Sequence, residues 1–333
     1  ASAGRRDILA GLVLAWTDKG KSKQSWQHFP SEEARLRYAR YIAARYSAFP
    51  VYFIVAGEWN IRQNSSESEA FYNAIGRELA AADPHGRMIG IHPVGRHPLP
   101  PKAFIDAGWN AFGGYQQVYS NLHDMILQAR ANGMPAVNAE YAYYRRQAED
   151  GTVNKANSED ADTIRAATWD IAMAGGYIVT GFGSTYFGGN RTREAFEVDH
   201  PKNDDWEEQA RHVRAFFAAC EWWKLEPNDR LISAAQPRTG DRQIEGDKRG
   251  RPPVTAYWAL AEPGRRYAAY VRGIEGEAKL TLEGAAANVR FSVRRYDPRS
   301  GRYAALPEHR GAGELALAVP DRQDWAFEVR LVE

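Results

Sequence analysis

The stretch Val51-Tyr52-Phe53-Ile54-Val55-Ala56-Gly57-Glu58-Trp59-Asn60 decides the fold class of this 333-residue chain. It is a short apolar run that begins after Pro50 and ends at a carboxylate. A second run of the same kind, Ala136-Val137-Asn138-Ala139-Glu140, follows Pro135. Apolar runs of this length predict buried strands of a parallel sheet. Because a carboxylate at the end of such a strand has no packing role, both glutamates are candidates for chemistry.

Short apolar runs alternate with amphipathic stretches over the first two thirds of the chain. Six strands are predicted, at 8–16, 51–58, 88–92, 110–115, 136–140 and 177–182. Helices are predicted at 31–46, 67–82, 122–131, 161–174 and 206–223. The first helix has a clear start, since Ser31 is a good N-cap and Glu32 and Glu33 follow it. Strands that alternate with helices predict an α/β fold with a parallel sheet, and we expect this catalytic domain to span residues 1–226.

The pattern changes after Pro227. Strand-like runs at 255–260, 266–272, 278–282, 289–296, 314–319 and 325–331 are separated by turn residues. Apolar and polar residues alternate in several of them, which is typical of a sheet with one solvated face. We therefore predict a small antiparallel β-sandwich over residues 227–333. The charged stretch 238–253 predicts an exposed loop near its start. Trp222, Trp223 and Leu225 are expected to lie where the last helix docks on the sandwich.

The number of predicted strands raises a question about the barrel. A (β/α)₈ TIM-type barrel has eight strand-helix units, whereas six are visible here, as if the first two were missing. Three explanations stay open: a missing N-terminal segment, a smaller open α/β sheet, or a second polypeptide that completes the barrel.

Composition excludes several classes of partner. The chain has 43 Lys and Arg against 42 Asp and Glu, so its net charge of +1 gives no field that would recruit nucleic acid or an acidic membrane. A single cysteine, Cys220, excludes an internal disulfide. No run approaches the ~18 apolar residues of a membrane helix, and the first residues lack the apolar core of a signal peptide. Localisation stays open, with a secreted or periplasmic location favoured if a signal peptide has been removed.

The two strand-end glutamates are the basis of a catalytic hypothesis. Their strands are the second and fifth visible ones, and they become the fourth and seventh if two strands are absent in front. Retaining glycoside hydrolysis needs one carboxylate as nucleophile and another as acid/base, about 5–5.5 Å apart. Buried salt bridges to arginine are the alternative role for such glutamates.

Several segments resemble one family of retaining (β/α)₈ glycoside hydrolases. They are 29–35, 51–60, 89–93, 136–141, 175–177, 221–227 and 296–301, and they cover nearly the whole chain. The resemblance is to the apiosidase-like branch, in which a β domain of the type labelled collagen-binding follows the barrel. Its most specific pieces are Trp222-Trp223-Lys224-Leu225-Glu226-Pro227 and Asp297-Pro298-Arg299-Ser300-Gly301, which are structural.

The resemblance implies an acid/base on the fourth strand and a nucleophile on the seventh. Glu58 matches the first position and Glu140 the second. One departure concerns Gly57, because much of this clan has Asn directly before the acid/base glutamate. Some members of the branch carry Asp at the position of Glu58, so the assignment of Glu140 is the stronger one.

Other polar and aromatic residues near strand ends are predicted to bind substrate. His92 could bind a sugar hydroxyl, and Tyr115 could orient the nucleophile. Core packing is the alternative for the aromatic ones. The full set is Trp16, Asp18, Trp59, His92, Tyr115, Gln116, Asn138 and Tyr186.

The predicted function is a retaining glycoside hydrolase acting on a plant or microbial polysaccharide or its oligosaccharides. The resemblance implies exo-release from a pectic side chain, and an endo-acting cleft is the other option. No cofactor or metal is expected, since carboxylates and water suffice for the reaction and the sequence lacks zinc-helix and phosphate-loop motifs. A non-catalytic carbohydrate-binding or structural protein on the same fold is the second hypothesis, which an incomplete barrel would favour.

Overall fold

The computed structural model describes residues 9–18, 23–60, 68–94, 100–116, 121–140, 161–178, 204–244 and 247–332. The chain divides into two compact units. The first contains Ala1–Gln116 and Gln128–Ala139, and the second contains Gln117–Leu127 and Glu140–Glu333.

Strands and helices alternate in the first two thirds of the chain, as predicted. In chain order the described elements are β1 (Ala10–Val13), β2 (Thr17–Asp18), β3 (Lys23–Gln24), α1 (Glu32–Tyr46), β4 (Val51–Ile54), α2 (Glu69–Ala82), β5 (Ile89–Gly90), α3 (Lys102–Asp106), β6 (Gly113–Gln116), α4 (Leu122–Ala131), β7 (Ala136–Glu140), α5 (Ala161–Met173), β8 (Tyr177–Ile178) and α6 (Asp204–Ala219). The short helix α3 has no counterpart among the predicted helices.

The first unit contains a parallel sheet with the order β1-β4-β5. Ala10 pairs with Val51, and Phe53 pairs with Ile89, both in parallel. Ile89 also forms a parallel bridge with Asn110, just before β6. The core of this unit lies between the sheet and the helices α1 and α2, and Phe53 is fully buried in it. The predicted parallel α/β arrangement is confirmed.

Local capping signals position the two long helices of this unit. The Ser31 hydroxyl accepts a hydrogen bond from the amide of Ala34 (3.2 Å), so α1 starts where the sequence predicted. The Ser68 hydroxyl accepts a hydrogen bond from the amide of Phe71 (3.3 Å) at the start of α2. Each cap satisfies one amide of the first turn that has no partner inside the helix.

The C-terminal region is built from antiparallel strands, which confirms the predicted fold. The strands are β9 (Glu226–Pro227), β10 (Ile232–Ala234), β11 (Arg242–Ile244), β12 (Asp247–Arg251), β13 (Ala256–Glu262), β14 (Arg266–Arg272), β15 (Gly276–Thr281), β16 (Arg290–Asp297), β17 (Arg302–Arg310), β18 (Glu314–Val319) and β19 (Trp325–Val332). A six-stranded sheet has the order β17-β16-β19-β14-β13-β9, and a three-stranded sheet has the order β10-β15-β18. Tyr267, Leu280, Leu317 and Phe327 are among the buried residues of the core they share.

One predicted loop is a hairpin. Within the charged stretch 238–253, β11 and β12 pair in antiparallel fashion, with Arg242 opposite Arg251. The stretch was predicted to be a loop and forms strands instead, because an antiparallel ladder is formed by backbone groups and does not require apolar side chains. Residues 238–240, at its start, are exposed as predicted.

The helices α5 and α6 pack against the six-stranded sheet. Trp169 of α5 stacks on Tyr270, with ring centroids 4.9 Å apart and planes 10° apart. Phe216 of α6 contacts Trp169 and Tyr296 at centroid distances of 5.0 and 5.2 Å. The same buried cluster includes Leu225. The last helix therefore docks on the sandwich through residues other than the tryptophan pair.

The expectation that Trp222 and Trp223 are buried in this docking was wrong. Their exposed fractions are 40% and 60%. The predicted helix over 206–223 ends at Ala219 because Glu221 adopts a left-handed backbone conformation (φ 54°), after which Trp222–Lys224 forms a short 3₁₀ helix. This turn directs the two indoles away from the core.

The Asp297-Pro298-Arg299-Ser300-Gly301 motif is a turn between β16 and β17. Asp297 accepts hydrogen bonds from the Arg299 amide (2.9 Å) and the Ser300 hydroxyl (3.0 Å). Gly301 has a φ of 68° and lies against the ring of His212 in α6, where a Cβ would overlap the imidazole. The motif thus has a structural role.

Candidate active site

The carboxyl ends of β1, β4 and β5 lie side by side in the first unit. Backbone hydrogen bonds continue past the strands, since the Gly57 amide donates to the Ala15 carbonyl (2.9 Å) and the His92 amide donates to the Ala56 carbonyl (3.0 Å). The residues that follow each strand therefore meet at one edge of the sheet. In a β/α barrel this is the edge that carries the active site.

Glu58 lies at this edge in an unusual backbone conformation. Its φ is 48°, in the left-handed region that costs a residue with a Cβ about 1–2 kcal/mol. The amides of its two neighbours fix the conformation, because Gly57 bonds to Ala15 and the Trp59 amide donates to the His92 carbonyl (3.1 Å). The side chain of Glu58 is buried. Backbone strain that neighbouring strands enforce is typical of functional positions.

Trp16 and His92 lie beside the backbone that leads to Glu58. Their ring centroids are 5.1 Å apart with planes tilted by 33°. The Trp16 indole lies directly over Gly57, where any Cβ would overlap it. Glycine at this position is therefore required by the close approach of the ring. Two of the predicted substrate-binding residues are thus next to the candidate acid/base.

Trp59 is half-buried and belongs to the core of the first unit. Its ring meets Tyr72 and Phe104 edge to face, at centroid distances of 5.7 and 5.1 Å. It also lines a cavity of about 380 Å³ together with residues that the sequence did not single out. The other lining residues are Asn60, Glu69, Ile91, Pro93, Pro100, Pro101 and Gly114.

Tyr115 and Gln116 end β6. The Tyr115 side chain is fully buried, and its hydroxyl has no hydrogen-bond partner among the described residues. Burial raises the pKa of Tyr115 well above its ordinary value, so the phenol keeps its proton. A buried hydroxyl without a partner calls for an explanation, and a bound ligand group is one. Gln116 is half-buried.

Asn138 and Glu140 share one face of β7. Ala136, Asn138 and Glu140 are buried, whereas Val137 and Ala139 are half-buried, which is the period-two pattern of a strand. Two polar side chains thus follow one another on a buried face, where apolar residues would be expected in a purely structural strand.

Two of the predicted substrate-binding residues cannot be placed in the site: only the backbone of the first is described, and the second is outside the described residues. Asp18 ends β2, which pairs with β3, and its side chain is outside the described part of the chain. Tyr186 also lies outside the described residues.

A buried ionic network in the second unit was not predicted. Asp170 of α5 receives two hydrogen bonds from Arg272 of β14 (3.0 and 3.1 Å) and one from the indole of Trp258 (2.8 Å). Burial alone would lower the pKa of Arg272, but Asp170 raises it above its ordinary value. The only sequence signal was an aspartate between Trp169 and Ile171 in an apolar helix.

A second ion pair continues this network. Arg165 of α5 donates to both oxygens of Asp324, through Nε (2.7 Å) and Nη2 (2.9 Å). The Tyr270 hydroxyl also donates to Asp324 (3.3 Å). These ion pairs join α5 to the six-stranded sheet and hold the helix in place.

The described residues show neither a cluster of metal ligands nor a membrane-spanning helix. Among them, no three His, Cys, Asp or Glu side chains are grouped so that they could hold a metal ion. Within the same ranges, no helix is both long and apolar enough to cross a membrane.

Glycoside hydrolases are among the solved structures that share this fold. A family 5 glycoside hydrolase from Bacteroides vulgatus has a TM-score of 0.73 and 15% identity, over 99% of this chain and 71% of its own. A second glycoside hydrolase has a TM-score of 0.73 and 14% identity, over 99% and 74%. A glucosidase from Croceicoccus marinus has a TM-score of 0.50 and 11% identity, over 98% and 79%. At these identities the likeness shows the fold alone.

The class is therefore that of proteins with the β/α fold of TIM-barrel glycoside hydrolases, followed by an antiparallel β region. The apiosidase-like catalytic domain family matches residues 1–224, about two thirds of the chain, and the protein belongs to that family. Membership confirms the apiosidase-like part of the resemblance, over the catalytic domain, and implies a carbohydrate substrate. No curated protein matches this sequence.

Proposed function

We propose that the chain is a retaining glycoside hydrolase in which Glu140 is the nucleophile and Glu58 the acid/base. The observation that carries the proposal is that two buried glutamates end β7 and the run that continues β4. Membership in a glycoside hydrolase family supports it, because such enzymes work with a pair of carboxylates.

The reaction has two steps. In the first, the Glu140 carboxylate attacks the anomeric carbon while protonated Glu58 gives its proton to the departing glycosidic oxygen. A glycosyl ester with Glu140 forms and the alcohol leaves. In the second, the Glu58 carboxylate takes a proton from water, the water oxygen attacks the anomeric carbon, and Glu140 is released. The anomeric configuration is retained.

The surrounding residues receive supporting roles in this proposal. Trp16 and His92, whose rings lie beside the backbone before Glu58, are assigned to the sugar, through an apolar face and a hydroxyl contact. Tyr115 retains its proton and can donate a hydrogen bond to a carboxylate or a sugar hydroxyl. Asn138, Gln116 and Trp59 remain predicted binding residues, as do Asp18 and Tyr186.

The class of substrate is also part of this proposal. We assign a plant or microbial polysaccharide or its oligosaccharides, with exo-release from a pectic side chain or endo cleavage as the two modes. The domain boundary near residue 226 and the collagen-binding type of the β domain belong to the same proposal.

The outer edge of β1 supports the expectation that further polypeptide completes the barrel. In the described sheet β1 is an edge strand, and Leu9 and Val13 are 49% and 39% exposed. The strand Ala10-Gly11-Leu12-Val13 carries no charge. Parallel strands are normally covered, and an uncharged apolar edge invites pairing with another strand. An N-terminal segment or a second polypeptide would supply it.

Product stereochemistry tests the proposal. The intact protein is incubated with a panel of pectic, hemicellulosic and microbial polysaccharides and their oligosaccharides, and reducing ends are measured. NMR of the first product should show retention at the anomeric carbon. Inversion would contradict the mechanism, and no release from any member of the panel would favour the non-catalytic hypothesis. In a crystal structure the two carboxyl groups should be about 5–5.5 Å apart, and a separation beyond about 12 Å would rule out a two-carboxylate site.

A further inference from the structure

Three aromatic side chains form an exposed cluster in the second unit that the proposed mechanism does not use. Trp223 is 60% exposed, Tyr177 is 42% exposed and Trp222 is 40% exposed. The Tyr177 and Trp222 rings meet edge to face at 5.5 Å, and the Trp222 and Trp223 rings do so at 6.2 Å. In the rest of this unit Trp169 and Tyr270 are fully buried, and Trp258 is nearly so.

The turn that carries the two tryptophans is firmly fixed. Glu221 adopts a left-handed conformation, and its carboxylate accepts from Lys224 Nζ (2.9 Å), Arg266 Nη1 and Arg330 Nη2 (3.5 Å). The hydrogen bond from Lys224 and the neighbouring Arg266 lower the pKa of Glu221. Leu225 anchors the far side in the core. The left-handed residue and the ion pairs around it thus hold two indoles in solvent. Exposed indoles contribute nothing to core packing and lower solubility, so another role is indicated.

The size of the cluster indicates what kind of partner it takes. An aromatic side chain presents about 150–250 Å², so the three exposed fractions leave about 300 Å². A stable protein interface needs about 800 Å² on each side, far more than the cluster offers. Glu221 and Lys224 flank the two tryptophans in the sequence and form an ion pair (2.9 Å), so polar groups lie next to the aromatic residues along the chain. This combination suits a short stretch of sugar rings.

The cluster lies at the amino-terminal end of a strand and the carboxyl-terminal end of a helix. Tyr177 begins β8, and Trp222 follows the end of α6. A barrel carries its catalytic groups at the opposite, carboxyl end of the strands.

We propose that Trp223, Trp222 and Tyr177 form a second carbohydrate-binding site, which retains a polysaccharide chain without cleaving it. The inference goes beyond the proposed function and depends on binding alone. Trp223 supplies the open stacking face, Trp222 and Tyr177 support it, and Glu221 and Lys224 lie next to the tryptophans along the chain.

The test is electrophoresis in native gels that contain soluble pectin, xyloglucan, arabinoxylan or mixed-linkage β-glucan. Wild type should be retarded by at least one of them. Trp223→Ala should bind that polysaccharide about tenfold more weakly, which corresponds to about 1.4 kcal/mol. Tyr41→Ala is the matched control, because Tyr41 is a 58% exposed aromatic residue of α1 in the first unit. It should behave as wild type.

Two further measurements make the outcome unambiguous. The melting temperature of Trp223→Ala should equal that of wild type, since the indole is mostly solvated, and turnover of a small aryl glycoside should be unchanged. Absence of retardation for wild type in every gel, or equal retardation of wild type and Trp223→Ala, would overturn the proposal. A change of molar mass in light scattering on Trp222→Ala or Trp223→Ala would instead assign the cluster to a polypeptide partner and also overturn it. A wild-type protein that is retarded in the gels but releases no sugar would bear only on the proposed function.

Discussion

The amide of Trp59 donates a hydrogen bond to the carbonyl of His92 across 3.1 Å, and this bond joins the ends of two parallel strands. Glu58 lies between Trp59 and Gly57, and the Gly57 amide donates to the carbonyl of Ala15, just after β1. Hydrogen bonds on both sides therefore fix the Glu58 backbone in its left-handed conformation. The direction of its Cα–Cβ bond is fixed with it. Such preorganisation is what a proton-transferring group requires.

The strain at Glu58 can be measured. Glu58→Gly should be more stable than Glu58→Ala by about 1 kcal/mol, because glycine has no Cβ to resist a positive φ. Both variants lack the carboxylate, so the difference reports on the backbone. Urea unfolding of the two proteins checks it. The control is the same pair of substitutions at Glu277, an exposed strand residue, where alanine should be the more stable.

Glu140→Ala should abolish turnover while the protein stays folded. We expect a loss of about 10⁴-fold or more, because no other group can form the glycosyl ester. Added azide should restore part of the activity and give a product of inverted configuration. Activity is measured with an aryl glycoside and the product by NMR. Wild-type turnover in Glu140→Ala would remove this residue from the mechanism, and Glu314→Ala, at an exposed position, is the control.

Glu58→Gln should discriminate between leaving groups. Substrates with poor leaving groups should be slowed about 10²–10⁴-fold, because they need a proton to depart. Activated aryl glycosides, which depart unaided, should be slowed much less in the first step. The rates are compared across a series of leaving groups of increasing acidity. An equal loss across the series would indicate that Glu58 has a structural role.

The pair Asp170–Arg272 should behave as a buried unit. Asp170→Asn or Arg272→Met leaves one charge buried without its partner, and each should cost about 3–5 kcal/mol of unfolding free energy. The double variant should cost clearly less than the sum of the two. Urea titration of all four proteins gives the coupling. For comparison, Arg322→Met breaks the exposed pair with Glu275 and should cost less than about 1 kcal/mol. Additive losses at the buried pair would contradict the prediction.

Alkaline pH should weaken the contact between Tyr296 and α6. Burial raises the pKa of Tyr296 from 10.0 to about 12, so the unfolded chain loses this proton first and the contribution to stability is lost as pH rises through that interval. Tyr296→Phe removes the hydrogen bond to the His212 carbonyl (2.8 Å) and should cost about 1 kcal/mol at neutral pH. The difference between wild type and variant should shrink at about pH 11. A constant difference would show that the phenol does not ionise on unfolding in this range.

Local signals made the strand-end glutamates and the first helix predictable. A short apolar run that ends in a carboxylate is visible in the letters at Glu58 and at Glu140, and Ser31 caps α1 through an amide only three residues away. Such features depend on neighbours in the sequence. The antiparallel region was predictable for the same reason, since alternation and turn residues are local.

Features that depend on distant partners were not predictable. The left-handed backbone of Glu58 is imposed by bonds to two other strands, and Asp170 meets an arginine 102 positions away. The exposure of Trp222 and Trp223 follows from the turn at Glu221, whose conformation is fixed by Arg266 and Arg330 in two later strands. Two adjacent tryptophans in a sequence indicate burial, so the solvent exposure of Trp222 and Trp223 is visible only in the structure.

The overlap that any Cβ at residue 57 would have with the Trp16 indole makes these two positions change together. No single substitution can introduce a side chain before Glu58 while the indole remains, and none can shorten Trp16 without opening a gap beside Glu58. An asparagine at position 57 could enter only after residue 16 had become small. A chain with tryptophan at 16 is thereby committed to glycine at 57, and any contact that a side chain at position 57 could make has to come from another residue.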